Sequence, residues 1–208
     1  MNTPEEVLSY WFPEGIDDAD PQTLGQQMER WMAGGPEVDK EITEQFGETL
    51  EQARRGELDH WAATARGRLA LIVVLDQFSR NVYRDSPLSY AQDEKALRLA
   101  LEGIDSRMDR ELGVMERMFF WLPLGHSEDL ALQEHSVGQV EKEAADAPGH
   151  LRGWHEHNLY QAKAAREVIA RFGRHPHRNE ILGRESTPEE LEYLRTETLP
   201  HLRRPPSS

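Results

Sequence analysis

Apolar positions recur three and four residues apart along nearly the whole chain, and residues that start or stop helices bracket each run. Thr3-Pro4-Glu5-Glu6 offers an N-cap, a proline for the first turn and acids beside the helix dipole. The helix it opens carries Val7, Leu8, Tyr10, Trp11 and Phe12 and stops at Pro13-Glu14-Gly15. Asp20-Pro21 opens a second, with Leu24, Met28, Trp31 and Met32 at helical spacing. Gly34-Gly35 breaks it, and Pro36 opens a third to about Gly56, with Val38, Ile42, Phe46 and Leu50 four apart. Ser86-Pro87 reads as the cap of a helix whose inner face is Tyr90, Leu97 and Leu101. A short apolar helix from Gly113 to Leu122 is closed by Pro123, and Ser127-Glu128-Asp129 caps another to about Ala145. His150 to Phe172 gives a long helix ended by Gly173, with Trp154 to Asn158 on a mostly exposed face. Thr187-Pro188-Glu189-Glu190 repeats the opening signature, and the tail 201–208 is expected to be disordered.

Trp61 to Tyr83 is long and mostly apolar, and Leu71 to Asp76 within it fits a buried strand as well as a buried helix. A lone strand would have no partner, no second β-branched run is present, and both flanks continue a helical register. The stretch from Leu69 to Arg80 is therefore predicted as a central helix, apolar all round because neighbours surround it. The pattern predicts an all-α array in one domain over residues 1–200. No self-similarity at a period of about 34 residues is legible.

Composition narrows the class. Apolar residues make up 38% of the 208 and charged residues 30%, the balance of a globular chain. The longest apolar run, Leu69 to Leu75, falls far short of the roughly 20 residues of a membrane span. The first residues have neither the basic nor the apolar region of a signal peptide, so cytoplasm is the expected compartment and no membrane the expected partner. With no cysteine, disulfides, thiolate chemistry and Cys-based metal sites are excluded. No histidine pair shows a recognised ligand spacing, so no metal and no cofactor is expected. Lys and Arg number 24 against 38 Asp and Glu, and a formal charge of −14 argues against nucleic acid as a partner.

Three segments carry more polar chemistry than a helical scaffold needs. In Leu75 to Asn81, Asp76 and Arg80 lie four apart on an otherwise apolar helix, as do Gln77 and Asn81. They form either an internal ion pair tying the central helix to its neighbours or part of a site. In Leu122 to His135, His126, Glu128 and Asp129 either cap a helix beside a solvated acidic face or line a cleft. In Arg171 to Asn179, continuing to Arg184, four arginines and two histidines lie between one helix end and the next helix start. They complement the helix dipole or receive an anion, a role for which arginine's fixed fork suits a carboxylate or phosphate.

Taken in order, Trp11-Phe12, Leu75-Asp76-Gln77-Phe78-x-Arg80-Asn81-x-Tyr83-Arg84, His126-Ser127-Glu128-Asp129-Leu130, Arg171-Phe172-Gly173-Arg174-x-Pro176-His177-Arg178-Asn179 and Leu182-Gly183-Arg184-x-Ser186-Thr187-Pro188-Glu189-Glu190 form a specific series. It resembles the bacterial domain-of-unknown-function family 924 over almost the whole chain. The resemblance implies a tetratricopeptide-like all-α fold and carries no activity with it. Two positions depart from the family pattern. His175 stands where the family usually has an aromatic residue, and Ala165 where a histidine often precedes Arg166-Glu167.

The expected site gathers Asp76, Arg80, Asn81, His126, Glu128, His177, Arg178 and Arg184 in one cleft, each at or beside a helix terminus. The expected role is binding a small anionic ligand or an acidic peptide end in an internal groove. A hydrolase using His126 or His177 as general base and the arginines as clamps is the alternative. A protein–protein adaptor working through a concave face is the third.

Overall fold

The computed structural model describes residues 2–32 and 34–203. Every regular element among them is helical, and no strand occurs. The chain divides into two compact units, Met1–Pro123 and Leu124–Ser208. Periodicity shows that each helix has an apolar face. It does not show which helices share a core.

The first unit opens with α1 (Pro4–Trp11), capped as the sequence predicts: the Thr3 hydroxyl accepts from the Glu6 N–H, and the Glu6 carboxylate accepts from the Thr3 N–H at 2.7 Å. A 3-10 turn (Ile16–Asp18), α2 (Pro21–Met32) and α3 (Pro36–Arg54) follow. The central helix runs as α4 (Ala65–Ile72), a π-helical segment (Val73–Phe78) and α5 (Ser79–Val82). Every residue from Leu69 to Ser79 is buried, as its apolar run requires. The π segment itself changes the hydrogen-bond spacing and not the residue types, so the sequence gives no sign of it. Trp11, Phe12 and Trp31 pack around Phe119 with ring centroids 4.8–5.7 Å away, while Phe78 lies 5.4 Å from Trp11 and 5.0 Å from Phe46. Most of these rings meet edge to face, the favoured aromatic geometry.

Two expectations shift here. Ser86-Pro87 opens only a 3-10 turn (Pro87–Tyr90), and α6 (Asp93–Asp105) starts later. Its buried face is Ala96, Leu99, Ala100 and Gly103, with Leu97 and Leu101 half-buried. Small residues sit inside because Phe120 and Arg68 approach Gly103 closely: a Cβ there would lie 2.4 Å from the Phe120 ring. After a 3-10 turn (Met108–Glu111), α7 (Val114–His126) passes through Pro123 rather than stopping at it. Its added turn is held at the end by the buried Gln133 amide, which donates to the Gly125 and Ser127 carbonyls at 2.7 and 2.8 Å. The start of α7 is also set from afar. Asp17 accepts from the N–H groups of Val114 (2.9 Å) and Met115 (2.8 Å), and a side chain at Gly113 would stand 2.4 Å from its carboxylate.

Gly67 lies close against the backbone of the preceding turn. Thr64 caps α4 by accepting from the Gly67 N–H at 3.1 Å, and a Cβ on Gly67 would lie 2.2 Å from the Trp61 carbonyl oxygen. Gly67→Ala gains about 1 kcal/mol in helix propensity. Forcing the Trp61 carbonyl aside costs about 1–3 kcal/mol. The variant is expected to melt below the wild type, and a higher melting temperature would refute this account of the contact.

In the second unit, α8 (Leu130–Asp146) and α9 (Arg152–Phe172) run antiparallel, cross-linked by Lys163–Glu141 (2.8 Å) and Arg166–Glu134 (2.9 Å). The N-cap of α8 is Asp129, which accepts from the N–H groups of Ala131 and Leu132, so Glu128 is left to other partners. His155, expected on an exposed face, is buried in α9. Gly173, at φ 67°, ends α9 in the left-handed conformation that glycine adopts without strain. A 3-10 turn (Pro176–Arg178), α10 (Pro188–Thr196, with the predicted capping box) and a last 3-10 turn (Pro200–Leu202) complete it. His201 and Arg203, expected in the tail, are tied to α9: the Gln161 amide donates to the His201 and Arg203 carbonyls. Residues 204–208 lie outside the described residues.

Candidate functional site

The first polar segment lies in the first unit. Asp76, fully buried, pairs with Arg80 at 3.1 Å and also accepts from the Gln77 amide. Arg80 donates to the Asp76 carbonyl, pairs with Asp93 at 3.1 Å and stacks over the Tyr90 ring at 5.7 Å. Burial alone would lower the Arg80 pKa, but Asp76 and Asp93 outweigh it and hold the guanidinium charged. Asn81 donates to Asp39 at 2.8 Å, and Arg84 grips the same carboxylate with both arms at 2.6 and 2.7 Å. Tyr83 donates to Glu51, which also pairs with Arg54. The segment thus ties the central helix to α3 and α6. Its arginines face carboxylates already supplied by the protein.

The second and third segments meet in the second unit. Glu128 receives Arg184 on both oxygens (2.7 and 3.0 Å) and the His175 backbone N–H at 2.8 Å. Burial pushes the Glu128 carboxyl up, while Arg184, the His175 N–H and nearby Arg178 outweigh it and keep it ionised. Arg184 also donates to the Asn179 side chain (2.9 Å) and the His175 carbonyl (3.0 Å). Asn179, fully buried, donates onward to Ser186 at 3.0 Å and Glu190 at 3.3 Å. Arg174 clamps buried Glu190 at 2.6 and 2.8 Å, and this fork is the main reason the Glu190 carboxyl is held down at about 2. Arg171 pairs with Glu197 at 2.9 Å. Three of the four arginines that looked like an anion trap are therefore fastened to glutamates of their own unit.

Around the fourth, Arg178 (7% exposed), imidazoles gather. His175 is 5% exposed, and neither of its ring nitrogens meets a hydrogen-bond partner among the described residues. Its ring centroid lies 5.4 Å from that of His177, which in turn lies 6.0 Å from that of His201. His126, at the end of α7, is electrostatically coupled to His175, His177 and His201. Exposure is graded: His201 is exposed, His126 and His177 are half-buried, and His175 and Arg178 are buried. Desolvation first, then the Arg178 charge, lowers His177 to about 4 and His175 to about 2. Both rings are neutral near pH 7 and present one N–H and one acceptor nitrogen each. Among the described residues no group of three or more His, Cys, Asp or Glu is placed to hold a metal ion.

Of the expected site residues, the structure brings His126, Glu128, His177, Arg178 and Arg184 together in the second unit. Asp76, Arg80 and Asn81 belong to the first. Sequence reading missed two members. His175 is one of the two histidines of the third segment and a departure from the family pattern, but is not among the expected site residues, and His201 falls in the expected tail. The signal for His175 was its place in His175-Pro176-His177, where a proline-fixed turn holds two imidazoles close.

No curated protein matches this chain. Among solved structures, the "Structure of Protein of Unknown Function ATU0120 from Agrobacterium tumefaciens" is similar at 34% identity, with a TM-score of 0.65. That match covers 84% of this chain and 98% of the other. The family described as "Bacterial protein of unknown function (DUF924)" matches residues 7–198, a span that holds the ion-pair network and His126, His175 and His177, and stops short of His201. The chain belongs to this bacterial family of unknown function.

Proposed function

We propose that the second unit binds a small anion, a phosphate-like ion or a carboxylate such as a peptide end, at His126, His175, His177 and Arg178 with His201 at the rim. The supporting observation is buried His175, whose ring N–H lies beside a cation and meets no acceptor among the described residues. A donor buried without an acceptor costs about 1–3 kcal/mol, which a bound oxyanion would relieve. In this reading Glu128 and Arg184 hold the loop that presents the cluster, and Asp76, Arg80 and Asn81 serve the fold. The same reading takes α8 and α9 as one helix pair of a tetratricopeptide-like array, and cytoplasm as the compartment.

Thermal melts with phosphate, sulfate and succinate test it. A ligand present at 100 times its Kd adds about 2.7 kcal/mol to stability, which is an upward shift of several degrees. His177→Ala, a half-buried position, is expected to remove that shift while leaving the circular dichroism spectrum unchanged. Wild-type melting indifferent to every anion at near-neutral and mildly acidic pH would overturn the proposal.

A further inference from the structure

We infer that α2 is a hinged lid whose Trp31 plugs an aromatic slot, and that the slot takes from outside a flat heteroaromatic ring bearing an N–H, such as an indole. The slot lies in the first unit and is independent of the anion-binding reading. Three rings line it: Trp11 at the end of α1, Phe12 at its C-cap and Phe119 from the middle of α7. The Trp31 ring centroid lies 6.4, 5.8 and 4.8 Å from theirs, and it meets Phe12 and Phe119 edge to face. Its Nε1 donates to the Trp11 carbonyl at 2.9 Å. That carbonyl is one of the last in α1, which the helix itself leaves without a donor. The indole N–H of Trp11, on the wall of the slot, meets no acceptor among the described residues.

Walls and plug are held differently. Trp11 and Phe119 are each 1% exposed, and Trp11 packs on Phe78 of the central helix at 5.4 Å. Of the 12 residues of α2, by contrast, Leu24 and Trp31 are buried. Arg30 reaches Glu41 at 2.7 Å and the Tyr10 hydroxyl at 2.8 Å, but the ion pair is partly exposed and solvent weakens it. Both ends of α2 suit a pivot. Asp17 is fixed on the first amides of α7, which anchors the chain just before the helix. After it, Gly34 (φ 58°) and Gly35 (φ 123°) hold conformations open to glycine, and a few such residues absorb the backbone change of a hinge. The helix can thus lift as one piece, taking Trp31 with it and leaving the three rings in place. Trp31 itself shows the chemistry of the ligand: a flat ring set against three others, with one N–H for the Trp11 carbonyl. An outside ligand binds the lifted form alone, so Trp31 acts as an internal competitor.

N-acetyltryptophanamide is the probe, and hydrogen exchange of the wild-type chain the readout. Exchange in α2 follows the lifted population. The probe should speed it by about tenfold at roughly nine times its dissociation constant for that form. Amides of α4, and of α7 beyond its first turn, should keep their protection, which separates a displaced lid from general loosening of the unit. Trp31→Phe keeps a ring in the slot but gives up the N–H, so it should bind the probe more tightly than the wild type. The N1-methylated probe, which has no N–H, should bind the wild type about tenfold more weakly. If α2 exchanges only together with α4 and α7, there is no lid and the inference fails. It fails equally if α2 opens on its own but ignores the probe up to the limit of solubility. Equal binding of the methylated probe would overturn the ligand chemistry assigned to the slot.

Discussion

Asp76→Ala is expected to lower the stability of the first unit by about 3 kcal/mol, the loss typical of a buried charge pair with one partner removed. Asp76 is fully buried, and its removal leaves Arg80 with the single carboxylate of Asp93 and the Gln77 amide without an acceptor. The partly exposed Asp93 keeps the loss at the lower end of the range. Urea unfolding followed by tryptophan fluorescence suits the test, since Trp11, Trp31, Trp61 and Trp121 lie in the first unit and only Trp154 in the second. Asp76→Ala/Arg80→Met should recover part of the loss, because replacing both members of a buried pair removes the uncompensated charge. If Asp76→Ala were as stable as the wild type and merely failed to bind anions, the network would be a ligand site and its structural assignment would fail.

The second large effect is loss of stability in mild acid. His177 is lowered to about 4 and His175 to about 2, burial being the first cause in both and Arg178 the next. In the unfolded chain both titrate near 6.5. Above that pH neither state binds the protons, and the stability is whole. As pH falls from 6.5 toward 4 the unfolded state takes up protons that folded His177 refuses, so stability declines. His177 alone accounts for on the order of 3 kcal/mol by pH 4, and His175 continues the decline. The two are not additive, because the His175 shift includes the charge of the His177 ring. Glu190, held at about 2 chiefly by Arg174, adds loss of the same sign only below its ordinary 4.5. The interval from pH 6.5 to 5 therefore isolates the imidazoles. Unfolding followed by backbone hydrogen exchange in α9 and α10 should show the decline there, and it should be shallower in His177→Gln. A flat profile over that interval would mean that the histidines are not sequestered.

Much of the fold can be read from local chemistry. Thr3 and Thr187 sit in capping boxes as Thr-Pro-Glu-Glu implies, Gly173 ends α9, and the apolar run after Leu69 is a buried helix. Those features depend on residues within one or two turns of each other. What stayed hidden depends on partners far along the chain. Arg184 looked like a free fork until Glu128, 56 positions away, closed on it, and Arg174 until Glu190 did. Pro123 looked like a stop because proline lacks an N–H, yet Gln133 satisfies the carbonyls of the turn beyond it. Pairing of charges is a long-range property, so a count of arginines overstated the basic surface. Of the histidine cluster, His126 and His177 are in the expected site, while His175 and His201, from two further positions along the chain, are not.

The Asp17 carboxylate at the head of α7 has a kinetic consequence. The amides of Val114 and Met115 are among those that a helix cannot satisfy internally, and here their acceptor lies 97 and 98 positions earlier. Their exchange with deuterated solvent therefore reads out whether the N-terminal segment is docked, and says little about whether α7 is helical. If residues 13–19 open without the rest of the unit, these two amides will exchange early while those one turn further along α7 stay protected. A pair of amides deep in the sequence thus serves as a clock for events at its beginning.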